Sequence, residues 1–298
     1  MITFNFLNCC PSYPYQPHII TMPDGAPHCD LFIFPKDYII SNETMFRFVL
    51  GRYGLNIVAK ITDFDEFGRL ICVLDALNRL GIKNLTYELM ICYIPTRQDR
   101  EQPGFAFTTE IYAKILKEFS KAKRHHFYLP HGKSKDVFQT YLPNSTFLDG
   151  TSFFLEAVDL FKPDAIIIPD DGAKEAILSP LLIQRPYINY VRCTKIRDSK
   201  TGKLSAPNII GDVKNKRLLI LDDICDGGGT FLQLADELGI KGATQLGLAV
   251  YHGIFSKGYR ELNKRFANIY TTNSFHEEPD FCIEVADDSR KVTMLNWL

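Results

Sequence analysis

The sequence predicts an α/β protein with two similar domains, each a mostly parallel sheet flanked by helices. Apolar, strand-like runs alternate with amphipathic, helix-like segments, and the second half repeats the rhythm of the first. The run Ala165–Ile168 is continuously apolar, as in a strand that is buried on both faces of a parallel sheet. We place the domains at residues 1–145 and 146–298.

In the first half, apolar residues recur at helical spacing between residues 65 and 80. This spacing predicts a helix over Asp65–Leu80, with Gly81 as the residue that ends it. The other predicted elements of this half are a strand at Leu85–Ile94, a helix at Thr108–Phe119 with Thr108 as its N-cap, and a strand at Phe127–Leu129.

The second half yields the same two kinds of element. They are a helix at Phe153–Phe161, strands at Ala165–Ile168, Tyr187–Val191, Arg217–Leu221 and Ala243–Tyr251, and a helix at Phe231–Leu238 that Gly239 ends. Ligands of parallel sheets gather beyond the carboxyl ends of the strands. The candidate motifs of this half follow predicted strands.

Composition excludes several classes of protein. Among 298 residues, 34 basic and 35 acidic side chains give a net charge of -1, and no long basic run indicates a nucleic-acid partner. No apolar run is long enough to span a membrane and the first residues lack a signal peptide, so we expect a soluble, cytoplasmic protein. The eight cysteines form no Cys-x-x-Cys pair, which argues against structural zinc and favours buried, reduced thiols.

The strongest chemical signal is the segment Asp222–Thr230. An apolar strand leads into two carboxylates, a glycine-rich turn and then a helix. Glycines let backbone N–H groups close on an anion, and a helix N-terminus favours negative charge. Carboxylates there suit ribose hydroxyls or a hydrated magnesium ion. The candidate sugar-phosphate residues are Asp222, Asp223, Asp226, Gly227, Gly228, Gly229 and Thr230.

This pattern resembles the phosphoribosyl-pyrophosphate (PRPP) motif that type I phosphoribosyltransferases share with PRPP synthetases, the ribose-phosphate diphosphokinases. The resemblance implies the type I phosphoribosyltransferase fold. Tyr93–Arg100 resembles the Arg-Gln-Asp stretch with which the synthetases bind ATP, so Arg97 and Gln98 inherit contacts with ATP. By the same resemblance, Asp24 lies in a loop near the adenine and His131 meets the ATP–magnesium site.

Two further segments resemble parts of the same family. Pro169–Lys174 is similar to its pyrophosphate loop, which implies roles for Asp170, Asp171, Gly172 and Lys174. Lys195-Ile-Arg197 is similar to the start of the catalytic flexible loop, so Lys195 and Arg197 are the catalytic candidates. The resemblance also implies that Asp170 and His131 help to bind Mg²⁺ as the cofactor.

The resemblance implies transfer of the pyrophosphoryl group of Mg-ATP to the C1 hydroxyl of ribose 5-phosphate, giving PRPP and AMP. Gly227 stands where the family has threonine, so one hydroxyl donor is lost, and with Gly228 we expect open space. A larger 5-substituted ribose such as ADP-ribose, giving ADP-ribose pyrophosphate, therefore stays open as the acceptor. Two other functions stay open: a phosphoribosyltransferase that consumes PRPP, and a non-catalytic regulatory subunit. Family members assemble as dimers or hexamers, which implies a homo-oligomer.

Overall fold

The computed structural model describes residues 2–5, 18–24, 26–31, 47, 50, 52, 54–82, 85–194, 207–276 and 291–295. The chain forms two compact units, Met1–Leu148 and Asp149–Leu298. The catalytic candidates Lys195 and Arg197 lie outside the described residues. Within the described ranges, no helix has both the length and the apolar character that crossing a bilayer requires.

The described part of the first unit holds one parallel sheet of five strands, in the order β1-β4-β5-β6-β7, and a separate antiparallel hairpin of β2 and β3. The strands are β1 (Ile2–Asn5), β2 (His18–Thr21), β3 (Pro27–Asp30), β4 (Leu55–Lys60), β5 (Tyr87–Tyr93), β6 (Arg124–Tyr128) and β7 (Ser145–Leu148). The helices are α1 (Phe64–Arg79), α2 (Thr108–Phe119) and α3 (Ser134–Tyr141).

Helix α1 shows why this unit folds as its sequence predicts. The carboxylate of Asp63 accepts a hydrogen bond from the N–H of Glu66 and so caps the first turn. Gly81, with φ +62°, follows the last turn, which confirms the predicted end of the helix. The apolar stripe of α1 is buried in a core shared with β4, β5 and β6.

The described part of the second unit holds a sheet of seven strands in the order β10-β9-β8-β11-β12-β13-β14, in which only the β9–β10 pair is antiparallel. The strands are β8 (Ala165–Ile168), β9 (Tyr190–Thr194), β10 (Asn208–Ile210), β11 (Arg217–Cys225), β12 (Gln245–Gly253), β13 (Asn268–Thr272) and β14 (Lys291–Leu295). The helices are α4 (Thr151–Phe161), α5 (Asp171–Ala173), α6 (Ser179–Gln184), α7 (Gly229–Ile240) and α8 (Arg260–Asn263), and a π-helical turn (Lys174–Leu178) joins α5 to α6.

The predicted α/β class, with parallel sheets flanked by helices, is confirmed. Several details of the predicted elements were wrong. Helix α2 begins at Thr108 with Phe107 as its N-cap, so Thr108 is not the cap. The strand predicted at Tyr187–Val191 starts three residues later, because Tyr187 lies in an exposed turn. Helix α7 continues past Gly239 and ends before Gly242, whose φ of +87° turns the chain.

The strand register brings several loops of the second unit to one edge of its sheet. Ile167 of β8 lies beside Val191 of β9 on one side and Ile220 of β11 on the other. Ile220 in turn lies beside Leu248 of β12. Because these strands are parallel, the segments that follow β8, β11 and β12 leave the sheet at the same edge.

Candidate active site

Asp222 and Asp223, in the predicted sugar-phosphate segment, lie on a strand, whereas the predicted strand ended at Leu221. Strand β11 continues beyond Leu221 to Cys225, since its pairing with β12 extends that far. Asp222 and Asp223 are half-buried, and the N–H of Asp223 donates to a carboxylate oxygen of Asp222 at 2.9 Å. The strand therefore holds both carboxylates at the edge of the sheet where the predicted phosphate loops emerge.

The turn after β11 leads directly into the N-terminus of α7. Gly228 is the N-cap residue, with φ +74°, a left-handed conformation that glycine adopts without steric cost. Among the described residues, no side chain caps the helix. The first N–H groups of a helix have no partner within it, so an uncapped N-terminus is suited to bind a phosphate group.

The space expected beside Gly227 and Gly228 is occupied. A Cβ atom at Gly227 would lie 3.3 Å from both Cδ and Cε of Lys257. At Gly228 it would lie 3.1 Å from a methyl group of Leu262. The expectation of open space was therefore wrong at both positions. At Gly229, no other described residue comes within 4 Å of such an atom.

Cys225 is buried between the acidic residues of this segment. Burial, with a smaller effect from the charges of Asp222 and Asp226, raises the pKa of its thiol to about 12. The thiol is therefore neutral and unreactive at ordinary pH.

The predicted pyrophosphate loop lies beside β11. The carboxylate of Asp170 accepts a hydrogen bond from the N–H of Ala173 at 3.0 Å and so caps α5. Residues of α5 and of the π-helical turn that begins at Lys174 contact β11. Asp171 forms an ion pair with Arg192 at 2.9 Å, and Gly172 is exposed. The structure thus brings the two predicted phosphate loops of the second unit to the same sheet edge.

In the first unit, the Arg97 segment and the His131 segment contact each other beyond the ends of β5 and β6. The N–H of His131 donates to the hydroxyl of Thr96 at 3.3 Å. The hydroxyl of Thr109 donates to the carbonyl of Gln98 at 2.7 Å. The side chains of Arg97 and Gln98 are exposed and that of His131 is half-buried. The predicted ATP-binding residues of this unit, apart from Asp24, therefore lie on two adjoining loops.

Asp99 holds these two loops together, a role that the sequence analysis did not assign. Its side chain is 8% exposed, and one carboxylate oxygen accepts the N–H of Lys133 at 2.6 Å. Gly132, with φ +54°, makes room for it, since a Cβ atom there would lie 2.1 Å from that oxygen. The sequence does draw attention to Asp99, because it is the third residue of the Arg-Gln-Asp motif.

Asp24 lies in the turn between β2 and β3. Its carboxylate accepts the N–H of Ala26 at 3.0 Å, and the N–H of Met22 donates to the carbonyl of Ala26. Asp24 is exposed, so its described contact stabilises the turn.

Magnesium fits the donor atoms of the second unit. The described residues contain no group of three or more His, Cys, Asp or Glu side chains that could hold a metal ion. A protein-only cage is not required, because Mg²⁺ often keeps several waters and binds through one or two carboxylates together with substrate phosphates. Asp170, Asp222 and Asp223 supply carboxylate oxygens in or beside the two predicted phosphate loops. His131 belongs to the other unit.

Comparison with known proteins agrees with this geometry. Residues 154–289 match the model of the phosphoribosyl transferase domain. The chain is 24% identical to a ribose-phosphate pyrophosphokinase of Agrobacterium fabrum over 237 residues, which cover 78% of this chain and 74% of that protein. It is 26% identical to a ribose-phosphate pyrophosphokinase of Hyphomonas neptunium over 64% of this chain and 61% of that protein.

A solved structure extends the likeness to nearly the whole chain. The phosphoribosylpyrophosphate synthetase of Mycobacterium smegmatis superposes with a TM-score of 0.72 over 99% of this chain and 94% of that chain, at 17% sequence identity. At this identity the likeness concerns the fold. The chain is therefore similar to curated ribose-phosphate pyrophosphokinases along most of its length and to the phosphoribosyl transferase domain over residues 154–289.

Proposed function

We propose that the protein transfers the diphosphoryl group of ATP to the C1 hydroxyl of a 5-phosphorylated ribose, releasing AMP. One observation carries the proposal: the loop at Asp170 and the loop that follows Asp222 emerge at one edge of one sheet. Such an arrangement can hold a diphosphate and a sugar phosphate side by side. The names of the curated relatives, ribose-phosphate pyrophosphokinases, support the same reaction.

In this reaction the C1 hydroxyl oxygen attacks the β-phosphorus of ATP. The bond between that phosphorus and the oxygen bridging it to the α-phosphorus breaks, AMP leaves with that oxygen, and the hydroxyl proton passes to solvent. Catalysis requires in-line positioning and neutralisation of charge, and it requires no covalent intermediate with the protein. We assign no general base, and Asp222 and Asp223 orient the ribose hydroxyls.

Magnesium, when bound, would neutralise charge on the phosphate oxygens, and Asp170 would help to hold it. Arg97 and Gln98 contact ATP in this proposal, and Lys195 and Arg197 stabilise charge on the transferred group.

The proposed acceptor is ribose 5-phosphate. A second candidate is a larger 5-substituted ribose such as ADP-ribose, and the observation that favours it is the missing hydroxyl at Gly227. A terminal phosphate monoester benefits more from every donor around it than a phosphodiester does. The steric part of that argument no longer applies, because Lys257 and Leu262 fill the space beside the two glycines.

The test is a product assay with purified protein. Mg-ATP is incubated with ribose 5-phosphate or with ADP-ribose, and AMP and the pyrophosphorylated sugar are counted by mass spectrometry. We expect equal amounts of AMP and product with one of the two sugars, and loss of both in a Lys195→Ala variant that keeps its circular dichroism spectrum. A PRPP-consuming transferase would give no AMP, and a regulatory subunit would bind ATP without forming product. Either result would refute the proposal.

Homo-oligomerisation remains a prediction from the family. Light scattering coupled to gel filtration gives the mass in solution and tests it.

A further inference from the structure

Lys257 covers the gap that Gly227 leaves in the sugar-phosphate turn. A Cβ atom at Gly227 would lie 3.3 Å from Cδ and from Cε of Lys257 and 3.6 Å from Cγ, so the stem of the lysine runs across this glycine. Lys257 is exposed in the turn after β12. The ammonium group of Lys257 forms no hydrogen bond or ion pair with any residue that the structure describes.

The turn that carries Lys257 is bonded to the sugar-phosphate segment. The N–H groups of Ile254 and Phe255 both donate to the carbonyl of Cys225, at 2.8 and 3.1 Å. The hydroxyl of Ser256 donates to the carboxylate of Asp226 at 2.5 Å. These bonds on the residues just before Lys257 fix the start of its side chain relative to the turn at Gly227.

The sugar-phosphate segment itself supplies no positive charge. Residues 222–230 include three aspartates and no lysine or arginine. The N–H groups of α7 and the hydroxyl of Thr230 offer dipoles only. A phosphate monoester carries nearly two negative charges at neutral pH, so its binding beside three carboxylates calls for a cation.

We propose that Lys257 binds the phosphate group on C5 of the acceptor ribose and takes over the function of the hydroxyl that is missing at position 227. This inference rests on the proposed function for the identity of the acceptor. Lysine is a compact charge on a flexible stem with three donors, so it can contact either a terminal phosphate or the first phosphate of a diester. Ribose 5-phosphate and ADP-ribose share this chemistry, and the experiment separates them.

The test is calorimetric titration of each sugar into the full-length protein without ATP. The variants are Lys257→Met, which keeps an unbranched stem and removes the charge, and Lys241→Met, a matched control. Lys241 is an exposed lysine at the other end of α7. Unphosphorylated ribose measures any effect that does not involve the phosphate group. We expect Lys257→Met to weaken binding of one or both phosphorylated sugars about 10- to 100-fold, the range for a charge-assisted hydrogen bond. We expect Lys241→Met to bind like the unaltered protein.

A second pair of variants tests the geometry. Gly227→Thr alone places a side chain against the stem of Lys257, and we expect it to weaken binding of the sugar phosphate. Combined with Lys257→Ala, the same threonine regains room and offers its hydroxyl, so the double variant should bind more tightly than Lys257→Ala alone. Additive losses in the double variant would contradict the proposed exchange of roles.

The outcomes separate this inference from the proposed function. Unchanged affinity for both phosphorylated sugars in Lys257→Met overturns the inference, even if the protein makes product from ATP. An equal loss of affinity for unphosphorylated ribose also overturns it, since the effect would then be structural. Failure to form AMP or product, with binding that still depends on Lys257, refutes the proposed function alone. Absence of binding of either sugar to the unaltered protein refutes both.

Discussion

Replacement of Asp99 by alanine should loosen the two loops that carry the proposed ATP-binding residues. The carboxylate accepts the N–H of Lys133 at 2.6 Å from a side chain that is 8% exposed. A hydrogen bond to a charged group in such a position contributes about 1.5–3 kcal/mol. The contact with Arg100, 3.6 Å away at a side chain that is 69% exposed, adds little. We therefore expect Asp99→Ala to lower the free energy of unfolding of the first unit by about 2 kcal/mol.

Two measurements check this value. In a unit of this size, 2 kcal/mol corresponds to a fall in Tm of about 4–8 °C, which circular dichroism resolves. The alanine variant should bind ATP only after its two loops become ordered again. That step costs the same ~2 kcal/mol, which raises the KM for ATP about 30-fold and leaves the KM for the sugar unchanged. Asp99→Asn keeps an acceptor oxygen and should lose about half as much stability. An alanine variant that melts with the unaltered protein would refute the reasoning, as would a change confined to the KM for the sugar.

Two further predictions concern buried positions. A Cβ atom at Gly253 would lie 2.2 Å from the ring of Phe255, so Gly253→Ala should lower the free energy of unfolding by about 2 kcal/mol in chemical denaturation. At Gly229 no other described residue lies within 4 Å of such an atom, so Gly229→Ala should leave this free energy almost unchanged. Equal midpoints for these two variants would contradict the packing around β12. Burial lowers the pKa of His125 to about 4, so the folded state binds fewer protons than the unfolded state between pH 4 and 6.5. The free energy of unfolding should therefore fall by about 2 kcal/mol from pH 7 to pH 5, as urea unfolding at both pH values can measure. A His125→Gln variant keeps a polar group near Ser120 and should lose most of this pH dependence.

Patterns confined to one element were predictable from the sequence. The apolar spacing that predicts α1 matches the residues that it buries, and the apolar run Ala165–Ile168 is a fully buried parallel strand. Errors arose where a neighbouring strand decides the outcome. Strand β11 continues through Asp222 and Asp223 because β12 pairs with it up to Cys225, and no local property of these acidic residues predicts a strand.

In the candidate site, too, contiguous motifs were predictable and contacts between distant segments were not. The glycine-rich turn and the Arg-Gln-Asp motif are visible in the sequence because each is contiguous. Lys257 gives no such signal, since it reaches Gly227 only through the pairing of β11 with β12. The sequence of the turn, with Gly227 and Gly228, predicts open space. Lys257 and Leu262, which are distant in the sequence, fill that space in the folded chain.

The pairing of β8 with β11 also bears on the order in which the protein acquires its site. Asp164, just before β8, accepts the N–H of Arg217 at the start of β11, and the two residues are 53 positions apart along the chain. The loops at Asp170 and Asp222 can therefore meet only after this long segment has closed, a step with a high entropic cost that slows folding. A chain still emerging from the ribosome would have one phosphate loop without the other. Ligands that need both loops would then bind, and protect from proteolysis, only the chain in which β11 has joined the sheet.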